Sequence, residues 1–175
     1  MFVTNHVLAG AIAGSVFRRR PLAAFGLGFA THVVMDMTPH WGNPNLDRDG
    51  FYAVAKRDGL LGLATVALVT VAGVPPRRAL IAGMAGAAIL DSDKPGEHFF
   101  GVNPLPAVVD RIHQQIQRET PEGLRTEVAA GVLLAAVVAA ILAHTRRGLA
   151  ECGGADRGEL RWRGQGSRTH QHGAR

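Results

Sequence analysis

The sequence predicts an all-α fold: a small membrane bundle of about five apolar helices, one short amphipathic helix, and a basic, disordered C-terminal tail. Three observations carry this. Five blocks rich in Ala, Leu, Val and Gly lack the two-residue alternation of a half-exposed strand, which favours buried helices. The blocks are apolar all round, with many small residues suited to close helix packing. Basic clusters at Arg18–Arg20, Arg77-Arg78 and Arg146-Arg147 follow the first, third and fifth blocks. If each block crosses a bilayer once, all three clusters fall on one side.

The first block, Val7–Phe17, has Thr4 or Asn5 as its expected cap. No basic residue precedes it, so a cleaved signal is not expected and Met1 reads as part of the mature protein. Pro21 suits the start of the second block, Leu22–Met37. The third, Gly59–Val74, stops at Pro75-Pro76, and the fourth, Ala79–Leu90, stops at Asp93-Lys94-Pro95-Gly96. In the polar stretch that follows, Val108, Val109, Ile112 and Ile116 have the spacing of a short amphipathic helix. The fifth block, Val128–Ala143, alone approaches the roughly 20 apolar residues of a full crossing. Blocks this short also suit a soluble bundle with an Ala-rich core, the competing architecture. The expected division is a helical metal-site domain over 1–145 and a tail over 146–175.

The 175 residues carry a formal charge of +5, but the segment from Thr145 onward holds seven Arg and three acidic residues and so supplies +4 of it. The rest is nearly neutral, and the tail has no repeated basic–aromatic pattern, which argues against specific nucleic-acid binding. The single Cys, Cys152, excludes a disulfide within the chain. The expected partners are membrane lipid and a small-molecule or lipid-linked substrate; no pattern fixes an oligomeric state. The Arg clusters place the chain in the cell membrane, multi-pass, with the N-terminus outside and the C-terminus cytoplasmic.

That topology gathers His6, His32, Asp36, His40, Asp58, Asp91, Asp93 and His98 at the outer face. His32 and Asp36 are an i, i+4 pair and share one face of a helix. Imidazole and carboxylate are ligands for zinc, with manganese and iron as alternatives. Pro39 disturbs the helix before His40, moving it towards a loop and a substrate. Asp91 and Asp93 leave an apolar helix at a turn, and two carboxylates so close repel unless a cation or proton lies between them. Asp93 reads equally as a turn residue. Asp58 opens the third block, as a first-turn acid, a ligand or both. His6 suits a helix start unless the shared face recruits it. His113, in DRIHQQIQRE, is expected on the solvated face of its helix, although it could close over the site. His144, His170 and His172 fall on the opposite side. No GxSxG or phosphate-loop motif occurs. Trp41 suits a membrane–water interface or a pocket wall.

Together NHVLAG, THVVMDMTPHW, KRDG and AILDSDKPGEH resemble the uncharacterised bacterial membrane-bound metal-dependent hydrolases, over about Met1–Thr145. The resemblance implies a small helical membrane protein in which His6, His32, Asp36, Asp58, Asp91 and Asp93 surround a metal. This chain has Leu90-Asp91 where such proteins have leucine-proline-aspartate. The functional expectation is a membrane-embedded hydrolase with one or two divalent metals. His40 or His98 would move protons, and the substrate would be a lipid-linked or phosphoester compound. The alternative is a non-enzymatic membrane protein: a metal or proton carrier, or an interaction partner. Ionisable residues gathered at one end, rather than spread through the depth, favour a surface site.

Overall fold

The computed structural model describes residues 1–166 apart from Pro44, Pro75 and Pro76, and side chains as far as residue 148. Six helices of ten residues or more make up most of it: α1 (Val3–Val16), α2 (Pro21–Asp36), α3 (Arg48–Ala72), α4 (Arg78–Ala88), α5 (Ala107–Ile116) and α6 (Leu124–Gly166). The all-α expectation holds. Two short strands, β1 (His40–Trp41) and β2 (Glu119–Thr120), pair in parallel.

Pro21 occupies the first turn of α2, where its missing N–H costs nothing. Asp47 caps α3 by accepting from Gly50 N at 2.8 Å. Helix α3 therefore starts ten residues before Asp58, which lies inside the helix rather than at its start. Neither Thr4 nor Asn5 caps α1, which begins at Val3 without a side-chain cap of its own. Its free N–H groups are satisfied from other helices. Asp58 accepts from Val3 N at 2.6 Å and from Thr4 Oγ1 at 2.6 Å, and Glu127 accepts from Phe2 N at 3.2 Å. Two carboxylates at a helix N-terminus also complement its dipole.

Helices α1, α2 and α4 pack closely on one another. A Cβ added at Gly10, Gly28 or Gly83 would overlap the backbone of the facing helix, so the close approach requires glycine there. Val7, Leu8, Ala11, Val69, Leu80, Met84 and Val138 form the core, drawing α3 and α6 onto α1 and α4.

Among the described residues one helical stretch, Pro121–Gly148 with 28 residues, is long and apolar enough to cross a membrane, not the expected five. The others fall short for physical reasons. With 14, 16 and 11 residues, α1, α2 and α4 reach only about 21, 24 and 17 Å at 1.5 Å per residue, against a hydrocarbon core of about 30 Å. Helix α3 is long enough, but its first half carries Asp49, Lys56, Arg57 and Asp58. The expected boundary at residue 145 falls inside α6, which continues to Gly166, so the Arg-rich segment starts as helix. The Pro75-Pro76 stop, the last residues of the expected tail, and His170 and His172 lie outside the described residues.

At one end of the bundle Arg77 Nε donates to Gly73 O at 3.1 Å and Arg146 Nε donates to Ala72 O at 2.9 Å. Two Arg clusters thus meet at the C-terminal end of α3. The start of α1, the end of α2 and the turn after α4 share the opposite end.

Candidate metal centre

Each of these three elements delivers its polar side chain into the interior. His6 comes from the first turns of α1, His32 and Asp36 from the last turns of α2, and Asp91 from the turn at Ile89–Ser92. A fourth element closes over them. After α5 the chain returns along β2, where Arg118 N donates to Asp36 O at 3.0 Å and His40 N donates to Arg118 O at 3.0 Å. This pins the end of α5 to the end of α2 and drives His113 into the cluster.

Asp36 is the hub. Its Oδ1 lies 3.1 Å from His6 Nε2, and its Oδ2 lies 3.0 Å from both His32 Nε2 and His113 Nε2. The Met1 amine donates to Oδ1 at 3.1 Å. The His32 and His113 Nε2 atoms are 3.1 Å apart, and the rings of His6 and His32 stack at 3.9 Å. Asp91 Oδ2 lies 3.8 Å from His6 Nε2. Three imidazoles and two carboxylates are therefore buried together. Their donor atoms form two overlapping groups, His6–His32–Asp36 and His32–Asp91–His113, each within 4.8 Å.

The protein alone leaves this cluster poorly satisfied. Nδ1 of His6, Nδ1 of His113 and Oδ2 of Asp91 are buried without a hydrogen-bond partner, and His6 Nε2 has only the Asp36 carboxylate at hydrogen-bond distance. Each such orphan costs about 1–3 kcal/mol unless something binds it. His32 is different: its Nδ1–H donates to Ala87 O at 2.6 Å, which leaves the Nε2 lone pair facing the cluster. The donor set, the orphaned atoms and this outer hydrogen bond all fit a divalent ion of the zinc type.

Lys94 pairs with Asp91 at the edge of the cluster. Burial pushes the Asp91 carboxyl up, but the Lys94 ammonium and the His6 and His32 imidazoles outweigh it and hold it below the usual carboxylate range. For Lys94, burial is outweighed by Asp91 and Asp93, and its pKa rises. Burial raises Asp93.

The remaining expected residues lie elsewhere. Asp58 is taken up by the start of α1, because α3 begins earlier than expected and turns this carboxylate towards Val3 and Thr4. Asp93 accepts from Lys94 N at 2.7 Å, a turn contact, and joins neither donor group. His40 is buried in β1, with its Nδ1–H donating to Thr38 O at 2.8 Å. His98 lies against the Tyr52 ring at 4.4 Å, in the wall of a cavity of about 790 Å³ that also reaches Asp91 and Lys94.

Sequence reasoning favoured a solvated face for His113 over closing on the site; it is buried and faces Asp36. The sequence pointed the other way, because the apolar residues Val108 and Ile112 of its helix, expected to face inward, are the exposed ones. Lys94 was visible only as part of a turn. Glu127 gave no signal beyond its position before an apolar run. It is buried and binds Asn5 Nδ2 at 2.7 Å as well as the start of α1.

No family model, no curated protein and no solved structure matches the chain.

Proposed function

We propose that the protein is a membrane-embedded, metal-dependent hydrolase acting on a lipid-linked or phosphoester compound. The observation that carries this reading is the convergence of His6, His32, Asp36, Asp91 and His113, with unsatisfied nitrogens and oxygen, in the buried end of the bundle. The two overlapping groups, His6–His32–Asp36 and His32–Asp91–His113, would hold the ion, zinc by the balance of imidazole and carboxylate, with manganese and iron as alternatives. A divalent ion there supplies Lewis acidity, which activates water as a nucleophile near neutral pH. His98, in the cavity wall, is the imidazole positioned to pass a proton to the leaving group. His40, held by Thr38 and outside the cavity lining, takes no part.

Membrane embedding is supported by the outer surface of the bundle. Leu60, Leu63, Leu68 and Val71 on α3, Val132 and Leu133 on α6, and Leu22 and Val34 on α2 are all exposed. So broad an apolar exterior suits lipid better than water. In this arrangement the Arg-bearing end is cytoplasmic and the metal end faces outward.

Elemental analysis of detergent-purified protein tests the site. Wild type is expected to retain about one divalent ion per chain, and His32→Ala and Asp36→Ala to lose it. Equal, substoichiometric metal in all three overturns the reading. Zinc-loaded wild type is expected to hydrolyse 4-nitrophenyl phosphate or its diester, with both variants inactive.

A further inference from the structure

Resting on that reading of the metal centre, we propose that the cavity between α3 and residues 89–100 seats the hydrocarbon chain of a phospho-amphiphile, with Lys94 holding its phosphate beside the ion. The cavity and the metal centre are continuous, because Asp91 belongs to both. Its volume of about 790 Å³ suits a chain-bearing molecule rather than a small ion. Its long wall follows α3 from Tyr52 to Val66, about 21 Å of helix at 1.5 Å per residue. Leu60 and Leu63 line it and are also exposed on the outside of α3. The cavity thus opens at Leu60 and Leu63 onto the apolar surface of α3, so a chain enters sideways from the bilayer.

Charge selects the head group. Asp58 lines the same wall, but its carboxylate is occupied by Val3 N, Thr4 N and Thr4 Oγ1. Lys94 pairs with Asp91. Asp91 engaged as a metal ligand would no longer neutralise Lys94, whose ammonium lines the cavity. Exposed Lys56 adds a second cation, with Glu119 the acid of the opposite wall. Ammonium beside a divalent ion is complementary to a phosphate and repels a cationic head.

Trp41 lies in the lining and reports occupancy. The test uses full-length Trp162→Phe protein in phosphatidylcholine nanodiscs, zinc-loaded, titrated with dodecyl phosphate brominated on its chain. Saturable quenching of Trp41 is expected, reversed by unbrominated dodecyl phosphate and not by dodecyltrimethylammonium. Inorganic phosphate should compete at least tenfold more weakly. Lys94→Gln should weaken binding tenfold or more and Lys94→Arg restore most of it. Gly59→Phe, placed where an added side chain meets no neighbouring atom, should weaken it by intruding into the cavity. Linear, unsaturable quenching that is equal in every variant overturns the proposal, as does equal competition by the trimethylammonium compound. Hydrolysis of 4-nitrophenyl phosphate is read in parallel. Turnover without saturable quenching defeats the chain site alone, and saturable quenching without turnover defeats the hydrolase reading alone.

Discussion

His32 and His113, from the end of α2 and from α5, bring their Nε2 atoms to 3.1 Å, each 3.0 Å from Asp36 Oδ2. Two imidazole nitrogens and a carboxylate oxygen at such spacing compete for protons, a conflict that a bound cation would resolve. His113→Ala removes a donor while β2 still holds the end of α5 through Arg118 and Asp36. Its metal affinity is expected to fall by about tenfold or more, read by competition with a chromophoric chelator. Unchanged affinity would place His113 outside the coordination sphere.

Metal should also stabilise the fold, because its donors come from α1, α2, α5 and the turn after α4. At a free metal concentration about 100 times the dissociation constant, linkage gives about 2.7 kcal/mol. Thermal unfolding of detergent-solubilised protein should therefore shift upward with zinc and downward with chelator. Asp36→Ala, lacking the hub of the cluster, should show no zinc-dependent shift.

Asp58 and Asp36 are both carboxylates at the same end of the bundle, yet their substitutions should separate cleanly. Asp58→Ala leaves Val3 N and Thr4 N without their partner, at a cost of about 1–2 kcal/mol. It should lower the melting temperature while retaining the full metal content by elemental analysis. Loss of metal in Asp58→Ala would return this residue to the ligand set.

The contrast between these two residues shows what the sequence made legible. His32 and Asp36 were readable because i, i+4 spacing fixes a shared face whatever the tertiary context. His6 and Asp91 became readable once the Arg clusters sorted the helix ends. Asp58 was legible as an acid at a helix start but not as to which helix. Helix α3 starts at its Asp47 cap, well before the apolar run, and the Asp58 carboxylate serves α1 instead. His113 was hidden for a related reason. The orientation of a short amphipathic helix is decided by what anchors its ends, here the β1–β2 pairing of residues distant in sequence. The number of spans was overread because apolar composition does not distinguish an interior helix such as α1 or α4 from one long enough to cross.

The Asp91–Lys94 pair gives metal-free protein a defined acid response. The folded-state pKa of Asp91 is depressed, so its contribution to stability is present above the unfolded value of about 3.9 and is lost as pH falls through the folded value. Removing the ammonium with Lys94→Met takes away the first of the favourable charges and leaves burial to push the carboxyl up. Chelator-treated Lys94→Met should lose stability at a higher pH than wild type, measured as melting temperature against pH. Identical profiles would mean that the pair does not persist in solution.

Close packing of α1, α2 and α4 is what brings His6, His32, Asp36 and the turn that bears Asp91 together, and two glycines test this from opposite directions. At Gly83 an added Cβ overlaps backbone of α1, which cannot swing aside as a side chain would. Gly83→Ala must therefore push α4 outward, carrying the following turn and Asp91 with it. At Gly26, on α2, an added Cβ meets nothing. Gly26→Ala should gain up to about 1 kcal/mol from helix propensity alone. The expected pattern is a raised melting temperature with wild-type metal affinity for Gly26→Ala, and a lowered one with weakened affinity for Gly83→Ala. If Gly83→Ala keeps full affinity, the spacing of α1 and α4 does not control the geometry of the centre.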